Sequence, residues 1–322
     1  MRAIVTGGSG FIGSEVVRRL LAEGNSVRVF SRRSDTASLF AGNVEVATGD
    51  LENVRSLIGA LDGMDVLYHI GEIKNTSKKA ARKNLKVLEM VLRCVKRKKI
   101  KRIVFVSSIT VAGIPSSVPA TEDTPPATVL NDHYTDCKRR SEKLLARGGA
   151  GVEYAVIRPG FVYGPGSRHL GTLVNLVNRF GPLGIPFPGN AKSIAPFIHV
   201  KDVASAISLA GTEPRASGQT FNLTDGSRHS WLDFLEAIAG SLGKKIRIIP
   251  LPRLLLKLTA FPVDILSGLL GLSLDAVSYA DYFSRDLYFE NAMTRQLLGW
   301  QPGYCLEEGV KEMTGFYAGW KV

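Results

Sequence analysis

With 322 residues, 45% of them hydrophobic and 22% charged, the chain is long enough to bury a large core and has the composition of a globular protein, not a disordered or fibrous one. Its formal net charge of +12 gathers in two basic runs, Lys74–Lys86 and Arg93–Arg102, with no binding motif or aromatic interleaving beside them, which argues against a nucleic-acid partner. The three cysteines Cys94, Cys137 and Cys305 share no metal-ligand spacing and cannot all pair, so no metal and a reducing, cytoplasmic setting are expected.

The first residues, Met1-Arg2-Ala3-Ile4-Val5-Thr6, enter a glycine loop directly, without the apolar run or cleavage site of a signal peptide. Short β-branched runs predict strands at Ala3–Thr6, Ser26–Ser31, Val44–Thr48, Val66–His69, Arg102–Ser107 and Glu153–Arg158. Amphipathic stretches predict helices between them at Phe11–Glu23, Val54–Leu61, Ala80–Lys96 and His133–Arg147. Strands separated by such helices build an α/β fold, a Rossmann-type doubly wound parallel sheet. The unbroken apolar run Ile103–Val106 suits a strand covered on both faces.

After Arg158 the pattern loosens, and Gly and Pro are dense from Pro159 to Gly189. Phe197–Ala206 and Thr220–Leu223 are expected to return to the sheet domain. The division expected is therefore a sheet domain of residues 1–165 and 196–226, and a smaller, discontinuous lobe of residues 166–195 and 227–322. The most apolar late stretch, Leu254–Leu274, is interrupted by Lys257, Pro262 and Asp264, so no membrane span of about 20 residues is expected. Lobe core, a contact in a homodimer, or the lining of a lipophilic pocket are the readings it admits. The basic runs likewise admit a solvated helix face, an anionic substrate or peripheral contact with an anionic membrane.

Three sets of residues carry chemistry. Gly7, Gly10 and Gly13, with Phe11 and Ile12 between them, join the first strand to the first helix, where a backbone can approach a pyrophosphate closely and a helix N-terminus faces it. The second strand ends Phe30-Ser31-Arg32-Arg33, where NAD binders of this architecture carry an acid for the ribose 2′-hydroxyl. Arg32, a planar fork of donors, points to NADP, with NAD the alternative if both arginines are solvated. Tyr134 and Lys138 lie at i and i+4 on one helix face. A neighbouring ammonium favours the phenolate, so Tyr134 can take a proton from an alcohol or give one to a carbonyl. Tyr317 and Lys321 repeat the spacing, without a strand-end serine to match.

The glycine spacing resembles the first motif of the extended short-chain dehydrogenase/reductases, the NAD-dependent epimerase/dehydratase group. Further stretches agree in order: Gly49-Asp50-Leu51, Tyr68-His69-Ile70-Gly71 (with Gly71 for the usual Ala), Arg158–Pro165, Phe197–Ala204 and Leu298–Pro302. The resemblance implies that Asp50 and Leu51 lie at the adenine, that Pro159 and Val162 line the cofactor, and that Lys138 reaches the nicotinamide ribose. It also implies that Ser108 holds the substrate oxygen, with Ser107 the fallback and Thr110 an extra contact. Ala112 replaces the motif's Tyr. Asn84 falls where relatives carry an Asn beneath the active site, unless it is a solvated helix residue. His69, His199 and Asp202 are expected to support the fold and Cys137 to be packed.

Two absences separate reactions within that group. Ile109 and Thr110 stand where 4,6-dehydratases carry an Asp-Glu pair, and Ala195 stands where nucleotide-sugar epimerases carry a phosphate-gripping Arg. The expectation is an NAD(P)-dependent oxidoreductase acting on a small-molecule secondary alcohol or ketone, of the 3β-hydroxysteroid dehydrogenase-like or dihydroflavonol reductase-like branch. The alternatives are a nucleotide-sugar 4-epimerase that retains its cofactor, and a non-catalytic nucleotide-sensing protein.

Overall fold

The structure is a computed structural model and describes residues 1–73, 77–148, 151–252 and 276–318. The chain runs β1 (Arg2–Thr6), α1 (Phe11–Ala22), β2 (Ser26–Ser31), β3 (Glu45–Thr48), α2 (Val54–Ala60), β4 (Val66–His69), α3 (Lys78–Arg97) and β5 (Arg102–Val106). A short hairpin, β6 (Ile114–Pro115) with β7 (Pro126–Thr128), precedes α4 (His133–Gly148) and β8 (Glu153–Pro159). Then come β9 (Phe161–Tyr163), α5 (Arg168–Phe180), β10 (Ile185–Pro188), β11 (Phe197–His199), α6 (Val200–Thr212), β12 (Gln219–Leu223), α7 (Trp231–Ser241) and β13 (Ile248–Leu251). Among the described residues, three late helices span Ala276–Phe283, Ala292–Leu298 and Leu306–Tyr317.

Seven strands form one parallel sheet in the order β12-β8-β5-β4-β1-β2-β3. The chain winds outward from β1 to β3, crosses back, and winds outward again through β4, β5, β8 and β12. The reversal lies between β1 and β4, and ligands of doubly wound sheets bind outside the carboxyl ends of the strands at such a point. Alternation along β1 sends Ala3 and Val5 to one face and Ile4 to the other. On the first face Val16, Val17 and Leu20 of α1 pack with Val203 and Ile207 of α6; on the second Leu57, Leu88, Val91 and Leu145 cover the sheet from α2, α3 and α4. With both faces covered, all five residues of β5 are buried.

A third core cluster gathers Tyr163, Phe197, Trp231 and Phe234 against Leu306, Val310 and Met313 of the last helix. Here the structure refines one expectation. Phe197–His199 does not join the large sheet but pairs with β9 in a two-stranded parallel sheet, while α6, directly after it, packs on the large one. Thr220–Leu223 does return, as part of the edge strand β12. Leu254–Leu274 lies entirely within residues 253–275, outside the described residues.

Asp202 explains why two distant motifs occur together. Its carboxylate accepts from the backbone N–H groups of Gly303 and Tyr304 at 2.8 and 3.2 Å, and its carbonyl accepts from Trp300 Nε1 at 3.2 Å. The Leu-Gly-Trp-x-Pro segment is thereby tied to the start of α6. His199 stacks on Tyr304 with ring centroids 3.9 Å apart, and among the described residues neither of its ring nitrogens has a hydrogen-bond partner, Nε2 lying 3.9 Å from Glu312 Oε2. Burial holds its imidazole down to about 4.

The basic runs lie mostly on α3 and the turn after it, and several members are paired: Lys83 with Glu52 at 2.9 Å, Lys98 with Asp62, and Arg102 with Glu153. Among the described residues, no helix is long and apolar enough to cross a membrane.

Candidate active site

The glycine loop lies at the β1/β4 reversal. Gly7 has φ +73°, which L side chains rarely adopt, and a Cβ there would lie 2.6 Å from the backbone of Gly71. A Cβ on Gly13 would lie 2.1 Å from the Gly7 carbonyl oxygen, and one on Gly71 would lie 2.9 Å from the Gly7 nitrogen. Gly71, the departure from the family's alanine, is thus required where the β1 and β4 loops touch. Gly10 caps α1 without any side-chain hydrogen bond, and no acid occupies the first turn. The first N–H groups of the helix and its positive dipole end are left for an anion. This cradle fits a dinucleotide pyrophosphate.

The end of β2 separates its two arginines. Arg33 is bound by Asp35 through two hydrogen bonds, at 2.9 and 2.6 Å, and Ser31 Oγ accepts from Arg33 N and Thr36 Oγ1. Arg32 is exposed and makes no hydrogen bond or ion pair among the described residues. Asp50 follows β3, exposed, its Oδ1 accepting from Glu52 N at 2.9 Å, and Leu51 packs against the second core cluster. Pro159 ends β8 opposite Leu223, and Val162 in β9 lies opposite Ile198. Phe11 and Ile12 are half-buried at the start of α1.

Tyr134 and Lys138 project from the first turns of α4. The helix begins there because buried Asp132 accepts from Thr135 N at 2.9 Å. Lys138 is nearly enclosed, its side chain 4% exposed. Its Nζ donates to the Val106 carbonyl at 2.6 Å, pairs with Glu72 Oε1 at 2.6 Å, and lies 5.8 Å from the centre of the Tyr134 ring. Burial, the largest single effect, would lower this ammonium, but Glu72, Tyr134 and Cys137 together turn the net direction upward. Tyr134, 38% exposed as a residue, has its phenol pushed up by burial. Lys138 and a hydrogen bond with Ser108 pull it down, while Glu72 pushes it further up.

The serines are likewise separated. Ser107 is buried and donates to Glu142 Oε1 at 2.5 Å; Glu142 also receives Arg158 through both its oxygens. Ser108 instead faces Tyr134 and accepts from Thr110 Oγ1 at 3.0 Å, and Thr110 accepts from Thr135 Oγ1 at 3.2 Å. Ser108, Thr110, Tyr134 and Lys138 are thus brought together, and Ser107 is occupied elsewhere. Cys137 is buried, its Sγ 3.4 Å from the Ala81 carbonyl, and its thiol is pushed up to about 11, mainly by burial.

Asn84 is a backbone clamp. Its Oδ1 accepts from Ile73 N at 2.9 Å and its Nδ2 donates to the Ile73 carbonyl at 3.2 Å. His69 Nδ1 lies 3.0 Å from Thr6 Oγ1, and burial, helped by Lys138, holds its imidazole down to about 3. The sequence reading missed Glu72, one residue past a quoted motif. The available signal was an acid three residues past a strand that ends at the sheet reversal. Tyr279, which donates to Asp132 Oδ2 at 3.2 Å, was missed too, because nothing local links residues so far apart.

A model of the NAD dependent epimerase/dehydratase family matches residues 3–224. The chain belongs to that family. It is 25% identical over 332 residues to a 2-alkyl-3-oxoalkanoate reductase of Shewanella oneidensis, an alignment covering 97% of this chain and 85% of the relative. It is 24% identical to 3beta-hydroxysteroid-dehydrogenase/decarboxylase isoform 1 of Arabidopsis thaliana, covering 96% and 77%. The fold also matches a UDP-glucose 4-epimerase of Thermotoga maritima crystallised with UDP-glucose, at TM-score 0.77 and 20% identity, over 99% of both chains. The seven-stranded sheet and glycine cradle are the epimerase/dehydratase framework, on which reductases and epimerases both occur among the relatives.

Proposed function

We propose that the chain is an NAD(P)-dependent oxidoreductase interconverting a secondary alcohol and a ketone, with Tyr134 as general acid/base. The observation that carries the reading is the convergence of Ser108, Tyr134 and Lys138 beside the glycine cradle. In it the substrate oxygen sits between the Ser108 hydroxyl and the Tyr134 phenol, and Lys138 supports both the phenol and the nicotinamide ribose. Bound in the cradle, the dinucleotide supplies or accepts the hydride at the carbinol carbon. The chain's own residues hold the oxygen, move its proton and exclude water. The substrate lies against residues 166–195 and 227–322, and residues 1–165 and 196–226 hold the cofactor. Unengaged Arg32 favours NADP, and three free cysteines suit a reducing compartment.

The epimerase reading has the solved relatives' bound UDP-sugars on its side. Against it stands Ala195, only 1% exposed and fixed by a 3.0 Å hydrogen bond from its N–H to the His229 carbonyl, where a phosphate-gripping arginine would be needed. Titration with UDP-glucose separates the two. Weak binding, together with stoichiometric oxidation of the reduced dinucleotide by hydrophobic ketones, is the outcome expected. Tight, salt-sensitive UDP-sugar binding and epimerisation without net cofactor release would replace the oxidoreductase with the epimerase.

A further inference from the structure

We propose that Glu72 is a positioning residue of this site: its carboxylate clamps the Lys138 ammonium and cancels its charge, so that Tyr134 is held as a proton donor and the site is set for carbonyl reduction. The inference rests on the oxidoreductase reading above and adds to it a residue and a direction.

The carboxylate is held in place from both sides. Before it, the Gly71 backbone touches Gly7 and donates to Thr6 Oγ1 at 3.2 Å. After it, Ile73 is pinned through both backbone groups by Asn84. Glu72 therefore meets Lys138 on a fixed segment, with Oε1 at 2.6 Å from Nζ, and among the described residues the other close acceptor of that ammonium is the Val106 carbonyl.

A buried ammonium standing alone beside a phenol draws it toward the phenolate. An ammonium paired at 2.6 Å is a dipole, whose field at the phenol falls off faster than that of a single charge. Among the described residues, the groups that act on Tyr134 fit this account. Lys138, with Cys137 beside it, comes from its own helix. Glu72 comes from the segment after β4 and Ser108 from the turn after β5. Asp132 precedes α4, and Tyr279 comes from the helix Ala276–Phe283. Among the described residues Lys138 is the one cation of this set, and Glu72 neutralises it. In reduction the substrate carbon gains hydrogen and two electrons from the reduced dinucleotide, its oxygen takes the Tyr134 proton, and Tyr134 regains a proton from water. Oxidation of the alcohol needs the phenolate, which a neutralised Lys138 makes harder to form.

The test needs no substrate. Phenolate absorbance of the full chain is titrated without dinucleotide, and the same titration of Tyr134→Phe is subtracted, leaving the Tyr134 step alone. The measurement is repeated with Glu72→Gln in both backgrounds. With Lys138 unopposed, the Tyr134 step is expected to move to lower pH by about one unit or more, about a tenfold gain in phenolate at a given pH. An unmoved step in a chain that still binds NADH overturns the proposal. Should Glu72→Gln fail to fold, Asn84→Ala releases Ile73 and with it Glu72; the step is expected to move the same way, and its staying put overturns the proposal equally. Loss of the oxidoreductase reading would appear elsewhere, as undiminished turnover in Tyr134→Phe, and leaves this titration standing.

Discussion

At the scale of single residues, the phenol of Tyr134 is the group with most to lose from a small change. Tyr134→Phe removes one oxygen and keeps the ring, so turnover on a ketone is expected to fall by about 10²- to 10⁴-fold while dinucleotide affinity stays near normal. Calorimetry beside a nicotinamide-absorbance assay measures both. Arg32→Ala is expected to weaken NADPH binding by roughly 1.5–3 kcal/mol and NADH binding little, because only NADPH carries the 2′-phosphate. Equal losses in the two titrations would return Arg32 to solvent and favour NAD. That Tyr134 and Lys138 share a helix face was legible from their spacing, and the place of Ser108 beside them from the family resemblance. Glu72 was not, because its meaning lies in a contact with a residue 66 positions away in sequence.

At the scale of elements, the glycine cradle is a junction of two loops as much as a binding site. Gly13→Ala would drive a methyl group to 2.1 Å from the Gly7 oxygen, against backbone that itself abuts Gly71. The expected result is loss of dinucleotide binding with a stability cost of about 1–3 kcal/mol, read by calorimetry and thermal unfolding. The sheet's strands and helices were legible from apolar periodicity, since a buried parallel strand writes an unbroken run such as Ile103–Val106. The partner of Phe197–His199 was not. Three residues fix no register by pattern, and hydrophobicity does not say which sheet a short strand joins.

At the scale of the whole molecule, acid is expected to loosen the fold through its buried histidines. His199 is held down to about 4 and His69 to about 3, so both stay neutral in the folded chain and take a proton near pH 6.5 once unfolded. Between about pH 6.5 and pH 4 the unfolded chain binds more protons, and stability falls as pH falls through that window. His199 alone contributes a loss on the order of 3 kcal/mol. Because its ring nitrogens have no hydrogen-bond partner among the described residues, His199→Phe keeps the stack on Tyr304 and is expected to flatten the decline of Tm between neutral and mildly acid pH. A decline as steep as the parent's would assign the acid sensitivity elsewhere. At this scale the doubly wound class was legible from alternating strands and helices. The Asp202 staple to residues 300–304 was not, since it joins two motifs that are each silent about the other.

The enclosure of Lys138 also governs how the protein can be handled chemically. Amine-acylating reagents find exposed lysines such as Lys79 and Lys101 in the open, whereas Lys138 offers 4% of its side chain and spends its protons on Glu72 and Val106. Covalent attachment to a resin or a dye through lysines should therefore decorate the basic exterior first and spare the interior amine.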